Sequence, residues 1–240
     1  MRNNILQEQI SYYKARAQEY DEWFYRIGRY DRGEENNQRW FSQIETVQTA
    51  LHGLGKFESI LELACGTGIW TKELINMGKS VTAVDASEEV IQINKNKLNS
   101  LTKISSTNTS LKNIEYQQLD LFSWEPEKQY ELVLFAFWLS HIPPNLLDEF
   151  FDKVYRSVLP QGQIFIIDSR WSETSSAINH DFRNGKDIYQ QRKLNNGEEF
   201  QIVKVYYQSD LLQEKLQKAG FKIKVEVTPD YFIYIKGTKS

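Results

Sequence analysis

One short stretch constrains the fold more than any other part of this 240-residue chain. An apolar run at 59–64 leads into Cys65-Gly66-Thr67-Gly68, and a run with helical spacing follows at 69–77. Glycines at such a turn let the backbone bend sharply and approach a ligand closely, and the start of the next helix offers free N–H groups. The stretch therefore predicts a strand, a glycine turn and a helix, with a ligand beside the turn.

The alternation of strand and helix continues along the chain. This order predicts an α/β fold, a Rossmann-like doubly wound sheet that is mostly parallel and carries helices on both faces. Ligands in such sheets bind beyond the carboxyl ends of the strands. Further strands are expected at 80–84, 114–118, 130–137, 163–168, 199–207, 222–227 and 231–236, and helices at 87–98, 145–159 and 209–219.

Composition argues against several other classes of protein. The formal net charge of -3 gives no basic footprint for nucleic acid. Cys65 is the only cysteine, the first ten residues lack the apolar run of a signal peptide, and three scattered histidines show no metal-ligand spacing. We therefore expect a cytoplasmic monomer or homodimer that acts on a small molecule, with no metal, nucleic acid or membrane partner.

The stretch Ile60–Trp70 resembles the first motif of class I S-adenosylmethionine-dependent methyltransferases, an acidic residue followed by a glycine-rich turn. Two further acids resemble the family's in the same order: Asp85, after the second strand, its ribose-binding acid, and Asp120, after the third, its adenine-binding acid. The resemblance implies a seven-stranded sheet with an antiparallel last strand. It also implies S-adenosylmethionine as cofactor and S-adenosylhomocysteine as product. The implied cofactor contacts are Tyr13, Tyr20, Glu62, Ala64, Gly66, Gly68, Asp85, Ala86, Asp120, Leu121 and Phe135.

The N-terminal segment Tyr12–Asp21 resembles the lid of many small-molecule members of that family. The resemblance implies one domain over 1–240, in which a helical lid at 1–55 precedes a cofactor-binding core at 56–168. A variable substrate-side insert at 169–200 and closing strands and a helix at 201–240 complete it. His141, just after the fourth strand, is a candidate general base or substrate contact. Candidate substrate contacts are Tyr12, Arg16, Trp138, Arg170 and Arg192.

The expected reaction is methyl transfer to an oxygen, hydroxyl or carboxylate, of a small molecule. A nitrogen or carbon acceptor, in a small metabolite or a peptide, remains an alternative. A NAD-dependent oxidoreductase is a rival class, but Thr71 stands where its G-x-G-x-x-G motif needs a third glycine. A non-catalytic binding protein that kept the cofactor fold is the other rival.

Overall fold

A computed structural model describes residues 2–104, 114–178 and 188–240. The α-helices in these ranges are α1 (Arg2–Ala15), α2 (Tyr20–Tyr25), α3 (Glu34–His52), α4 (Thr71–Leu74), α5 (Glu88–Ile104), α6 (Leu147–Ser157) and α7 (Ser209–Lys218). The strands are β1 (Phe57–Leu63), β2 (Gly78–Asp85), β3 (Ile114–Gln118), β4 (Tyr130–Ala136), β5 (Val158–Ser169), β6 (Tyr189–Lys193), β7 (Glu199–Val203), β8 (Phe221–Val227) and β9 (Phe232–Lys239). None of the described helices is both long and apolar enough to cross a bilayer.

Seven strands form one sheet in the order β3-β2-β1-β4-β5-β9-β8. The neighbours from β3 to β5 pair in parallel, whereas β9 pairs antiparallel with both β5 and β8. The predicted doubly wound sheet with an antiparallel last strand is therefore confirmed. The strand order reverses between β1 and β4, and this switch point is where such sheets bind ligands.

Both faces of the sheet are covered, which explains the continuous apolar runs of the central strands. Ile60 and Leu132 point to the face covered by α3, where they pack in one cluster with Trp40. Their neighbours Leu61 and Val133 point to the opposite face, against α6 and α7. Successive side chains of a strand alternate between faces, so consecutive positions such as Ile60 and Leu61 are both apolar.

The helix expected at 69–77 is much shorter in the structure, where α4 ends at Leu74. Beyond it the amides of Asn76 and Met77 donate to the carbonyls three residues earlier, Glu73 and Leu74. These tight turns bring the chain straight into β2, which begins at Gly78, the residue expected to end the helix. A Cβ on Gly78 would lie 2.8 Å from Cδ1 of Ile60, so only glycine lets β2 pack this closely against β1.

The hairpin of β6 and β7 packs against α1, outside the main sheet. Tyr12, Leu194 and Ile202 form a small core between them that is separate from the two large ones. We call α1 and this hairpin the cap. The predicted insert at 169–200 contains β6, and the strand expected at 199–207 ends at Val203. Residues 179–187 of the predicted insert lie outside the described part of the chain.

Candidate active site

Two adjacent cavities lie between the carboxyl ends of the central strands and the N-terminal helices. The glycine-turn cavity is lined by Ala64, Gly66, Asp85, Ala86, Ser87, Asp120, Leu121 and Trp138, among others. The tyrosine cavity is lined by Tyr12, Arg16, Tyr30, Arg192, Lys204 and Tyr206, among others. Tyr13, Tyr20, Phe137 and His141 line both, and we call these four residues the shared wall.

The glycine turn bends because three of its residues have left-handed backbone angles. The φ values of Ala64, Gly66 and Gly68 are 54°, 54° and 91°. Such an angle is costly for alanine and free for glycine, and Ala64 keeps it directly beside the cavity. A Cβ on Gly68 would lie 2.5 Å from Oδ1 of Asn94, so the second glycine also makes room for α5. Strain of this kind is typical of functional sites.

Asp85 lies at the carboxyl end of β2 with its carboxylate on the glycine-turn cavity. Its Oδ2 accepts a hydrogen bond from the Gly66 amide (3.0 Å) and its Oδ1 accepts one from the Ser87 amide (3.1 Å). Burial raises the pKa of Asp85, although these backbone hydrogen bonds oppose the shift. A carboxylate has about four acceptor positions, so about two remain for hydroxyl groups of a ligand.

Glu62 does not line the cavity but lies beneath the glycine turn, 2% exposed. Its Oε2 accepts a hydrogen bond from the Thr71 hydroxyl (2.7 Å), which in turn accepts one from the Asn94 amide (2.8 Å). Asn94 also donates to the Gly66 carbonyl (3.3 Å), so the chain of bonds from Glu62 supports the turn from below. Burial raises the pKa of Glu62 to about 8.

This raised pKa predicts a pH-dependent stability that the Glu62→Gln variant should lack. Between the usual value of 4.5 and about 8, the folded protein keeps a proton that the unfolded chain releases. The contribution of Glu62 to the free energy of unfolding is therefore fully present below pH 4.5 and is lost as the pH rises towards 8. At about 1.4 kcal/mol per pKa unit, the wild type should lose on the order of 3 kcal/mol more than the variant between pH 5 and 8.

Urea unfolding at pH 5, 6.5 and 8 measures this difference directly. Glu58→Gln is the matched control, because Glu58 lies on the same strand with its side chain in solvent, paired with Lys79. That variant should follow the wild-type pH dependence. Parallel curves for the wild type and Glu62→Gln would show that Glu62 is ionised in the folded protein.

The remaining predicted cofactor residues divide between the cavity and the core. Asp120 and Leu121 line the glycine-turn cavity, and Oδ1 of Asp120 accepts the Phe122 amide (3.0 Å), which fixes the carboxylate. Phe135 does not reach the cavity, because it is fully buried in the core against Phe150. Trp138, predicted as a substrate contact, lies on the glycine-turn cavity instead.

Of the other predicted substrate residues, the structure brings Tyr12, Arg16 and Arg192 together at the tyrosine cavity. Arg170 lies elsewhere, because its guanidinium donates hydrogen bonds to the carbonyls of Thr228 and Pro229. It ties the end of β5 to the turn between β8 and β9. Arg170 follows β5 in sequence, as a site residue would, but its side chain points away from both cavities.

His141 is buried in the shared wall, in a short 3-10 helix, Leu139–His141, that follows β4. Its Nδ1 lies 2.7 Å from the Val203 carbonyl, which only accepts, so Nδ1 carries the proton. Its Nε2 therefore accepts a hydrogen bond from the Tyr13 hydroxyl (2.6 Å). Burial and the nearby Lys204 ammonium lower the pKa of His141 well below its usual value. The imidazole is therefore neutral, with its lone pair directed at Tyr13.

Sequence reasoning missed several residues of the two cavities. Phe137 follows β4 with φ of 57°, a left-handed angle that turns its ring into the shared wall. Lys204 and Tyr206 come just after β7, where the sequence reads as an alternating strand. Gln9 donates to the His141 carbonyl (3.1 Å) and accepts from the Val203 amide (3.1 Å), which fixes α1 to the wall. A glutamine in a helical segment does not by itself indicate that its side chain will form such a pair of hydrogen bonds.

Comparison with known proteins agrees with this architecture. Residues 60–162 match the family described as methyltransferase domain. The fold, the strand order and this match, which covers less than half of the chain, support a class I S-adenosylmethionine-dependent methyltransferase with S-adenosylmethionine as its cofactor. A demethylmenaquinone methyltransferase of Lactococcus lactis subsp. lactis (strain IL1403) is 30% identical over 115 residues, which cover 46% of this chain. The match spans only 42% of the length of that relative.

Solved structures resemble the chain over nearly its whole length. A DhpI-SAH complex has a TM-score of 0.73 and 29% identity, covering 97% of this chain and 96% of its own. A DhpI-SAM-HEP complex has a TM-score of 0.75 and 29% identity, covering 97% of each chain. A methyltransferase from Aquifex aeolicus shares the fold at 19% identity, with a TM-score of 0.55 over 81% of this chain and 89% of its own.

Proposed function

We propose that this methyltransferase transfers the methyl group of S-adenosylmethionine to an oxygen atom of a small molecule held in the tyrosine cavity. The shared wall carries the proposal, because it joins the cavity of the predicted cofactor residues to a second cavity. Displacement at a methyl carbon requires the nucleophile opposite the leaving sulfur, so the acceptor belongs in the neighbouring cavity. The tyrosine cavity lies beneath the cap and is lined by aromatic and polar side chains, as expected for a small-molecule site.

The lining of the glycine-turn cavity fits the cofactor. Asp85 keeps acceptor positions for the ribose hydroxyls, and Asp120 offers a carboxylate for the adenine amine. Bound S-adenosylmethionine supplies an electrophilic methyl group on a positively charged sulfur. The rings of Tyr13, Tyr20 and Phe137 lie in the shared wall, and aromatic faces stabilise a cation. The chain itself contributes orientation and the exclusion of water.

The pair of Tyr13 and His141 gives a route for a proton when the acceptor is a hydroxyl. The Tyr13 hydroxyl donates to the neutral His141, so its oxygen can accept a hydrogen bond from an acceptor in either cavity. A proton leaving the acceptor would pass to Tyr13 as the Tyr13 proton moves to Nε2 of His141. A carboxylate acceptor arrives already deprotonated and needs no base.

A structural neighbour supports a second ligand beside the cofactor. DhpI, which is 29% identical to this chain, was solved in complex with both SAM and HEP. Two adjacent cavities in this chain are consistent with a similar arrangement of cofactor and acceptor.

The acceptor atom is tested with methyl-labelled S-adenosylmethionine and a small-molecule cell extract. The purified product should carry the label on oxygen, as judged by mass spectrometry. Mild alkali separates the two oxygen classes, because a carboxylate methyl ester releases labelled methanol whereas a methyl ether does not. Label retained on a nitrogen or a carbon atom would contradict the proposal.

A further inference from the structure

The tyrosine cavity has an unusual charge lining for a buried site. Arg16, Arg192 and Lys204 all line it, and each is at least nine-tenths buried. None of the described residues lining the cavity is an aspartate or a glutamate. Cations rarely lie this deep unless something negative is bound beside them.

Only one of the three cations has an acidic partner in the described part of the chain. The Lys204 ammonium lies 3.6 Å from the buried carboxylate of Asp168. The Arg16 and Arg192 side chains donate to neutral oxygens instead, those of Tyr30 (3.2 Å) and Gln190 (2.6 Å). The described residues around the cavity therefore leave about two positive charges without a counter-charge.

Two buried donors at the cavity also lack a hydrogen-bond partner among the residues that the structure describes. They are Nε of Arg16 and the hydroxyl of Tyr12, whose ring is completely buried. Buried polar atoms in folded proteins are nearly always paired, so a water molecule or a bound group is expected to complete these two donors. Tyr12 lies in the last turn of α1, and Arg16 directly follows the end of this helix.

We propose that Arg16, Arg192 and Lys204, with the Tyr12 hydroxyl, form an anion subsite that binds a doubly charged oxyanion on the acceptor, of the phosphate or dicarboxylate type. This inference rests on the proposed function, because it assigns the acceptor of that reaction to a chemical class. Guanidinium groups bind such oxyanions through paired hydrogen bonds. Two uncompensated positive charges match two negative ones.

The subsite brings together three separate segments of the chain. Arg16 follows the end of α1, Arg192 lies on β6, and Lys204 follows β7. Arg192 is part of the cap hairpin and Lys204 directly follows it, and Arg16 is held by a stacking contact over the Tyr20 ring (4.9 Å). The subsite therefore exists only when the cap is packed, and an anion bound there would help to hold α1 and the hairpin together.

Calorimetric titration of the full chain tests the subsite without requiring turnover. With S-adenosylhomocysteine present, inorganic phosphate and malonate should bind, whereas acetate should bind more weakly and ethylene glycol not at all. A stronger response to phosphate or to malonate distinguishes the two kinds of dianion. Arg192→Met should weaken dianion binding at least about tenfold, the effect of losing one charge-assisted hydrogen bond.

The matched control is Lys193→Met, which removes the adjacent cation, half-exposed and paired with Glu199 outside the cavity. It should leave dianion binding within twofold of the wild type. A second variant, Arg16→Lys, tests the subsite if Arg192→Met fails to fold. It keeps the positive charge and should retain part of the dianion binding. In both site variants, S-adenosylhomocysteine affinity should stay within twofold of wild type.

Three results would overturn the subsite. The first is no dianion binding by a wild type that binds S-adenosylhomocysteine normally. The second is an equal loss of S-adenosylhomocysteine affinity in Arg192→Met and Arg16→Lys, which would assign these cations to the cofactor. The third is efficient methylation of an oxygen of a neutral acceptor, unaffected by Arg192→Met, which would leave the proposed function standing. Dianion binding without methyl transfer to any oxygen would instead support the subsite and overturn the proposed function.

Discussion

The Asp85→Ala variant is expected to bind S-adenosylhomocysteine at least about 100-fold more weakly than the wild type. Two hydrogen bonds from ribose hydroxyls to a carboxylate are at stake, and each is worth about 1.5–3 kcal/mol. The substitution also leaves the amides of Gly66 and Ser87 without their acceptor, so the glycine turn loses its fixed shape. Calorimetric titration of both proteins measures the change.

The control for this prediction is Glu88→Gln, three residues further along the chain. Glu88 lies in the first turn of α5, exposed and paired with Lys95, and it does not line either cavity. Its substitution should leave the affinity unchanged within twofold. If Asp85→Ala lowered the affinity less than tenfold while Glu88→Gln behaved as expected, Asp85 would not hold the ribose.

The second large effect is expected for stability, in the Trp40→Ala variant. Trp40 is completely buried under α2, where its indole N–H donates to the Phe24 carbonyl (3.0 Å). Its ring packs against Trp23 and Phe232, with centroids 5.1 and 4.7 Å away, and against the guanidinium of Arg26. Removing a buried tryptophan costs about 3–5 kcal/mol, a large part of the total stability of a domain.

Thermal unfolding should show this loss as a fall of roughly 10 °C in Tm, given about 2–4 °C per kcal/mol for a chain of this size. Phe41→Ala is the matched control, because Phe41 is the next residue of α3 and is 42% exposed. An exposed substitution of this kind should change the stability by less than about 1 kcal/mol. Equal Tm values for the two variants would mean that Trp40 does not anchor α2 to the sheet.

The sequence was sufficient to predict the sheet and the part of the candidate site that depends on strand order. Asp85 ends a strand and Gly66 follows one, so their places at the sheet edge follow from the alternation of strands and helices. Glu62 shows the limit of that reasoning. Its position in β1 was clear, but β1 turns its side chain beneath the glycine turn, where it lines neither cavity.

The residues of the tyrosine cavity could be predicted only in part, because this cavity depends on contacts between segments that are distant in sequence. Arg170 and Arg192 give the same signal in sequence. Arg170, however, donates hydrogen bonds to two backbone carbonyls, whereas Arg192 lines the tyrosine cavity. Lys204 reaches the cavity because β7 packs against α1, a contact that spans almost the whole chain. Phe137 faces both cavities through a left-handed backbone angle that no local pattern indicates for phenylalanine.

The small core of Tyr12, Leu194 and Ile202 has a consequence for how this protein can diverge. It is separate from the two cores that stabilise the main sheet, so substitutions in the cap hairpin leave those cores intact. Mutations at distant, independent sites have nearly additive effects on stability. We therefore expect substitutions in β6 and β7 to change the proposed acceptor preference at little risk to the folded state, which makes this hairpin the natural region to randomise in a directed-evolution library.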